Sequence, residues 1–267
     1  MNTLKNKIKL IATDLDGTLL NSNKEISDYN KKILFELMYN HNVELILSSG
    51  RPFEGLKSYK ELLKINNYSI IFNGASIVDN NENIVYRKTL DENISKTIIE
   101  LSKDYNVCIH VYDNGKYIVS KENFYIKSYV QIEKTVNVLY GLNNVSDYRF
   151  DKMLILGERE ILNELKQKID SKMDINSCFS GEKFLEIISK EANKGNALKW
   201  ICENKGISIE NAAAFGDNFN DIEMIEYAGI GVAMGNAEEN VKQKANYIAL
   251  SNDEDGVGKF LKDAFEL

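Results

Sequence analysis

The stretch Ile8–Leu19, with the sequence IKLIATDLDGTL, places a short apolar run directly before two aspartates. The segment 8–13 is typical of a buried strand, because it is a short and mainly apolar run. Asp14 and Asp16 follow it, and Gly17 comes next. Functional sites of open parallel sheets gather at the carboxyl ends of the strands. This stretch therefore predicts a strand of a parallel sheet and a site at its end.

The sequence to either side alternates between strand and helix patterns. Ser27 is a predicted N-cap, and apolar residues recur behind it at helical spacing. Further strands are predicted at 43–48, 68–73, 212–215, 230–234 and 247–250, and further helices at 52–63, 195–204, 220–227, 238–245 and from 258. Such alternation predicts the α/β class, with a Rossmann-like parallel sheet core and helices on both faces.

The middle of the chain has a different pattern. Strand-like segments at 84–86, 109–112, 117–119, 153–156 and 184–188 have only two helical segments among them, 94–105 and 161–173. Strands that follow one another directly favour antiparallel pairing, which predicts an α+β insert. The expected domains are a discontinuous α/β catalytic core of residues 1–83 and 189–267 and an inserted α+β cap of residues 84–188.

Three further polar segments lie at the ends of predicted elements. Ser49, Gly50 and Arg51 end the second strand, where a hydroxyl and backbone N–H groups can hold a phosphate oxygen. Lys194 opens a helix, so a cation and free N–H groups converge on an anion site. The segment 216–221, GDNFND, adds carboxylates at the end of another strand. Alone, each of the other segments is typical of a turn or a helix cap, and Lys194 of a solvated surface lysine. Four such segments at one edge of a sheet favour a functional site.

In this order, the four segments resemble the four motifs of the haloacid dehalogenase superfamily of phosphohydrolases. The chain is similar to the Cof-type branch, whose large α+β cap lies between the second and third motifs. The resemblance covers nearly the whole chain. It includes FNGA at 72–75, FLEI at 184–187 and DGV at 255–257.

The resemblance implies a role for each matching residue. Asp14 is expected to be the nucleophile and a metal ligand, and Asp16 the general acid/base that binds the metal through its backbone carbonyl. Asp217 completes the metal site, and Asp221 ligates the metal or orients its neighbours. Ser49 and Lys194 are expected to be catalytic by holding the transferring phosphoryl group, and further phosphate contacts are expected from Leu15, Gly50, Arg51 and Asn220. Mg²⁺ is the expected cofactor, because carboxylate and carbonyl oxygens are its usual ligands.

These roles predict a magnesium-dependent phosphatase that forms an aspartyl-phosphate on Asp14. An anionic carboxylate must approach an anionic phosphate, and Mg²⁺ together with Lys194 would offset that repulsion. The expected partner is a small phosphorylated metabolite: a sugar phosphate, a nucleotide or a phosphorylated cofactor. Polar cap residues are candidates for substrate selection, among them Arg149, Lys152 and Glu182. A phosphomutase of the same superfamily and a non-catalytic binding protein for a phosphorylated metabolite stay open as alternatives.

The net charge, the length of the apolar runs and the positions of the cysteines limit the classes of function and the cellular location that we expect. The 267 residues carry a net charge of −7, which argues against a general nucleic-acid binder. No apolar run of about 18 residues occurs, so we expect a cytoplasmic protein without a membrane partner, as a monomer or a weak homodimer. Cys108, Cys178 and Cys202 are far apart in apolar stretches, which predicts buried free thiols.

Overall fold

The computed structural model describes residues 4–121, 138–142, 145 and 147–267. The chain divides into two compact units. The first consists of Met1–Val85 and Asn193–Leu267, and the second is Tyr86–Ala192.

The first unit is an α/β structure around a mainly parallel sheet. Elements are numbered along the whole chain. Its strands are β1 (Leu10–Thr13), β2 (Glu44–Ser48), β3 (Ser69–Ile71), β4 (Ser76–Val78), β5 (Ile84–Arg87, in which the chain leaves this unit), β12 (Ala212–Gly216), β13 (Ile230–Ala233) and β14 (Tyr247–Ile248). Its helices are α1 (Asp28–Asn40), α2 (Glu54–Leu62), α5 (Lys194–Lys205), α6 (Ile222–Tyr227), α7 (Glu239–Lys242) and α8 (Gly256–Phe265).

The eight strands lie in the order β14-β13-β12-β1-β2-β3-β4-β5. Strand β1 is central and runs parallel to both neighbours, so that Leu10 pairs with Ala212 on one side and Glu44 on the other. All four residues of β1 are buried, as expected for a strand covered on both faces. The predicted α/β class with a Rossmann-like core is confirmed.

The second unit is built on a sheet with helices packed against one face. Its strands are β6 (Cys108–Asp113), β7 (Lys116–Val119), β8 (Val138–Tyr140), β9 (Lys152–Leu156), β10 (Ile175–Gly181) and β11 (Phe184–Ser189), and its helices are α3 (Glu92–Ser102) and α4 (Arg159–Asp170). The sheet order is β10-β11-β9-β6-β7-β8. One core joins the helices to the sheet and includes Ile98, Val111, Ile155, Leu165 and Ile187.

The strand predicted at 68–73 differs from the structure, and the sequence pattern misses strands β4 and β8. The strand predicted at 68–73 ends at Ile71, and Phe72–Gly74 form a turn before the antiparallel strand β4. The sequence pattern also misses β10, whose sequence INSCFSG mixes small and polar residues. Pairing with β11 supplies the strand structure that local composition does not indicate.

The prediction of buried cysteines is correct for Cys108 and Cys202 but wrong for Cys178. Cys178 is exposed because it lies on β10, which is an edge strand of its sheet. All three thiols are free. Within the described part of the chain, no helix is both long and apolar enough to cross a membrane.

Ser27 is the N-cap of α1, as predicted, and its hydroxyl accepts a hydrogen bond from Asn30 N. The same hydroxyl donates to Asp255 Oδ1 at 2.5 Å. We therefore expect Ser27→Ala to lower the free energy of unfolding by about 1–2 kcal/mol, as for other lost N-caps. Chemical denaturation measures this change. Ser58→Ala, at an exposed serine in α2, is the control and should change stability little. Equal stability of the two variants would contradict the assigned cap.

Candidate active site

The turn after β1 brings Asp14 to the carboxyl edge of the first unit's sheet. Asp14 N donates a hydrogen bond to Phe215 O of β12. Leu19 N donates to Asp14 O, and this second hydrogen bond closes the turn. Gly17 has a φ of +82°, and a Cβ at this position would overlap the carboxylate of Asp217. Glycine is therefore required here both by the backbone conformation and by the close approach of the second carboxylate.

Lys194 joins two carboxylates in the interior of the site. Its Nζ donates to Asp14 Oδ1 and to Asp221 Oδ1, both at 2.6 Å. Lys194 and Asp221 are fully buried, and Asp14 is 6% exposed. The lysine is the first residue of α5, and Asn193 caps that helix by accepting from Asn196 N. A single ammonium group thus joins the segment after β1 to the segment after β12.

Burial and mutual repulsion perturb the ionisation of these groups. Burial raises the pKa of Asp14 to about 8, with the Lys194 charge opposing the shift and Asp221 adding to it. Burial also raises the pKa of Asp217 to about 6, although a hydrogen bond from Thr18 acts in the opposite direction. For Lys194 burial disfavours the charge, yet the carboxylates of Asp14 and Asp221 hold its pKa above the ordinary value. The site therefore carries more negative charge than its single ammonium group offsets.

Asp14, Asp217 and Asp221 form a cluster that suits a metal ion. One oxygen from each carboxylate lies within 4.8 Å of the others. Both oxygens of Asp221 already accept hydrogen bonds, Oδ1 from Lys194 and Oδ2 from the backbone N–H groups of Asp217 and Asn218. By contrast, Asp14 Oδ2 and Asp217 Oδ2 accept no hydrogen bond from any described residue.

Asp16 lies in a different environment from Asp14. Arg51 binds it through two parallel hydrogen bonds, Nε to Oδ2 at 2.8 Å and Nη2 to Oδ1 at 2.7 Å. Lys24 Nζ adds a third contact at 2.9 Å. Partial burial alone would raise the pKa of Asp16, but the hydrogen bonds and charges of Arg51 and Lys24 lower it below its ordinary value. The two aspartates of the motif thus differ in pKa, with Asp16 the more acidic.

The remaining residues predicted from sequence lie around this centre. Ser49 is buried, and its hydroxyl accepts from Arg51 N at 3.2 Å. The Leu15 side chain is fully buried, and its N–H donates to no described residue. Asn220 Nδ2 donates to Asn73 Oδ1 at 2.7 Å. Gly50 lies beneath the carboxamide of Asn73, since a Cβ at Gly50 would be 2.8 Å from Asn73 Oδ1.

Sequence reasoning assigned no role to three residues that contact this set. Thr18 Oγ1 donates to Asp217 Oδ1 at 2.6 Å, Lys24 binds Asp16, and Asn73 holds Asn220. Thr18 stands inside the quoted motif, and the Asn-Gly pair at 73–74 after a strand is a turn signal. Nothing in the local sequence around Lys24 indicates its contact.

The predicted cap residues have different environments within the second unit. Lys152 is buried and forms an ion pair with Glu186 at 2.6 Å. Arg149 is exposed, and its N–H donates to Asp147. Glu182 lies in the turn between β10 and β11. A buried ion pair is costly to desolvate, so Lys152 is distinct from a solvated surface lysine.

The similarity of this chain to known proteins identifies its family. The haloacid dehalogenase-like hydrolase family matches residues 11–261. The 5-amino-6-(5-phospho-D-ribitylamino)uracil phosphatase YcsE of Bacillus subtilis (strain 168) is 34% identical over 96% of this chain and 95% of its own. A second protein of that activity from the same organism, YitU, is 31% identical over 99% of this chain and 100% of its own.

The structural similarity extends over the same length. A haloacid dehalogenase-like hydrolase from Bacteroides thetaiotaomicron superposes with a TM-score of 0.85 and 32% sequence identity, covering 97% of this chain and 100% of the other. The matched region contains all four polar segments that end the strands or open α5. The chain therefore belongs to the haloacid dehalogenase-like hydrolase family, in its Cof-type branch, and is a phosphatase.

Proposed function

We propose that the chain hydrolyses phosphate monoesters in two steps through an aspartyl-phosphate on Asp14. The observation that supports this proposal is the hydrogen bonding of the Asp14 carboxylate. One oxygen is held by the buried Lys194, and the other accepts no hydrogen bond from the described residues. A carboxylate fixed on one side with an open oxygen on the other is oriented for attack, and such orientation lowers the barrier of phosphoryl transfer.

In the first step, Asp14 Oδ2 forms a bond to phosphorus while the bond to the ester oxygen breaks. The departing oxygen takes a proton from Asp16, and the alcohol is released. In the second step, Asp16 accepts a proton from water as the water oxygen attacks phosphorus. The bond between phosphorus and Asp14 breaks, and inorganic phosphate leaves. Lys194 stabilises the anionic charge near Asp14 in both steps.

Asp16 must carry a proton when the ester oxygen departs, whereas its contacts with Arg51 and Lys24 favour the ionised form. The dianionic phosphoryl group of the substrate is itself a partner for the planar guanidinium of Arg51. We propose that substrate competes for Arg51, which weakens its hold on Asp16 and raises the affinity of Asp16 for a proton. Arg51 thereby both binds phosphate and sets the ionisation of the acid/base.

The donors around Asp14 fit Mg²⁺. Three carboxylates face one ammonium group, which leaves two formal negative charges for a divalent cation to offset. Hard oxygen donors suit this ion. Asp217 Oδ2 has no described donor, and Asp14 would ligate through Oδ1, whose second lone pair is not used by Lys194, so that Asp14 Oδ2 stays available for attack. When bound, Mg²⁺ would supply electrostatic stabilisation of the phosphoryl oxygens. We assign direct ligation to Asp14, Asp217 and the Asp16 carbonyl, with Asp221 holding Lys194 and acting on the metal through water.

The substrate is proposed to be a small phosphorylated metabolite. Two relatives at 34% and 31% identity are phosphatases of 5-amino-6-(5-phospho-D-ribitylamino)uracil, so this compound is the first to test. Sugar phosphates, nucleotides and phosphorylated cofactors complete the panel. We propose that the second unit is the cap that selects among them.

The nucleophile is tested by phosphate release from this panel. We expect release by the wild type and a loss of at least about 10³-fold in Asp14→Asn, since removing a nucleophile commonly costs this much or more. Asp28→Asn, the same exchange at an exposed residue, is the control and should retain full activity. Residual activity above a tenth in Asp14→Asn would rule out the aspartyl-phosphate. Conserved ester phosphate with a hexose phosphate would instead indicate a phosphomutase.

The acid/base is tested with Asp16→Asn and p-nitrophenyl phosphate, whose leaving group needs little protonation. The variant should release a burst of nitrophenolate equal to the enzyme concentration and then turn over about 10²–10⁴-fold more slowly than the wild type. Lys24→Gln removes a neighbour of Asp16 but leaves its carboxylate intact, and should turn over much faster than Asp16→Asn. Wild-type turnover in Asp16→Asn would refute the proton role.

The metal site is tested by thermal unfolding as well as by activity. Chelator should abolish activity, and Mg²⁺ should restore it. At 100 times its dissociation constant, Mg²⁺ should stabilise the wild type by about 2.7 kcal/mol. Asp217→Asn removes a proposed ligand and should lose most of this stabilisation. An equal rise in melting temperature for both proteins would place the metal elsewhere.

A further inference from the structure

The turn Phe72–Gly74 at the carboxyl end of β3 has an unusual backbone. Its three residues have φ values of +51°, +55° and +93°. A positive φ is disfavoured for a residue with a side chain, most of all for a bulky one such as Phe72. Such conformations persist where surrounding structure imposes them, and they concentrate at functional sites. The contacts of this turn show what imposes it.

The turn is fastened to the segment that ends β2. Phe72 N donates to Arg51 O at 3.3 Å, and Asn73 N donates to Ser49 O at 3.1 Å. Both acceptors belong to residues predicted to bind phosphate. Gly74 lies against the other side of the site, where a Cβ would overlap the carbonyl of Asn193, the residue before Lys194. The backbone of the turn therefore sits between two phosphate-binding segments.

The side chain of Asn73 reaches a third segment. Its Oδ1 accepts from Asn220 Nδ2 at 2.7 Å, and its carboxamide lies over Gly50. Both asparagines are half-buried. The hydrogen bond uses one N–H of the Asn220 amide and fixes the amide plane. The second N–H of Asn220 donates to no described residue and has a defined direction.

We propose that Asn73 is a positioning residue, which orients the Asn220 amide so that its second N–H binds the transferring phosphoryl group. This inference rests on the proposed function, in which Asn220 contacts phosphate. Two independent requirements meet at position 73. The backbone needs a residue that tolerates a left-handed conformation, and Asn220 needs an acceptor. Asparagine satisfies both.

The experiment is a double-mutant cycle on kcat/KM with the variants Asn73→Gly and Asn220→Ala. Glycine keeps the left-handed backbone and removes only the carboxamide. Each single variant should lose about ten-fold or more, as expected when a hydrogen bond to a charged group is lost. The double variant should be no worse than Asn220→Ala, because Asn73 acts through Asn220. Asn42→Gly is the matched control, since Asn42 is exposed, has a φ of +53° and precedes β2.

A purely structural role gives a different pattern. In that case Asn73→Gly would lower the melting temperature, and its effect on kcat/KM would multiply with that of Asn220→Ala. Either multiplied effects or full activity in Asn73→Gly would overturn the proposal. Inhibition by inorganic phosphate provides a binding readout, and it should weaken in parallel in both single variants.

A second variant covers the case in which Asn73→Gly does not fold. Asn73→Asp keeps the acceptor for Asn220, so adding Asn220→Ala to it should still cost about ten-fold. No further loss in that background would overturn the inference. Failure of the proposed function is recognised separately, because the wild type would then release no phosphate or Asp14→Asn would remain active.

Discussion

The arrangement depends on one buried ammonium group placed between two carboxylates. Lys194 has no exposure to solvent and binds Asp14 and Asp221 at equal distances of 2.6 Å. Burying these charges is unfavourable, and removing one member of such a cluster typically costs about 3–5 kcal/mol because a charge is left uncompensated. The cluster therefore ties the start of the chain to its last third. The same charges that constrain the fold hold the proposed nucleophile in place.

The parallel sheet explains how residues so far apart in sequence meet. Strand β1 lies between β2 and β12, so the segments that follow these three strands share one edge. This strand order makes neighbours of Asp14, Ser49 and Asp217. The turn after β3 extends the same edge and, through Asn73, links the segment after β2 to the segment after β12. Each site segment is thus supported by at least one other.

The two aspartates of the first motif, Asp14 and Asp16, differ in pKa because their environments differ. Burial raises the pKa of Asp14, with Lys194 opposing that shift, whereas Arg51 and Lys24 outweigh partial burial and lower the pKa of Asp16. In our proposal, the order of the two pKa values is reversed during turnover, because the metal acts on Asp14 and the substrate acts on Asp16. Phosphate competes for the partner of Asp16, and a divalent cation favours the ionised form of Asp14.

The sequence alone determined the α/β class, the strands that carry the site and the residue types at their ends. It could do so because a continuous apolar run indicates a buried strand and a polar segment after it indicates where that strand ends. It also pointed to Asp14, Lys194 and Asp217 as one site, through their resemblance to a known family. Only the tertiary structure decided which atoms meet: that Lys194 bridges Asp14 and Asp221, that Arg51 holds Asp16, and that Asn73 holds Asn220. These contacts join residues on different elements, and neither local propensity nor periodicity carries information about such long-range pairs.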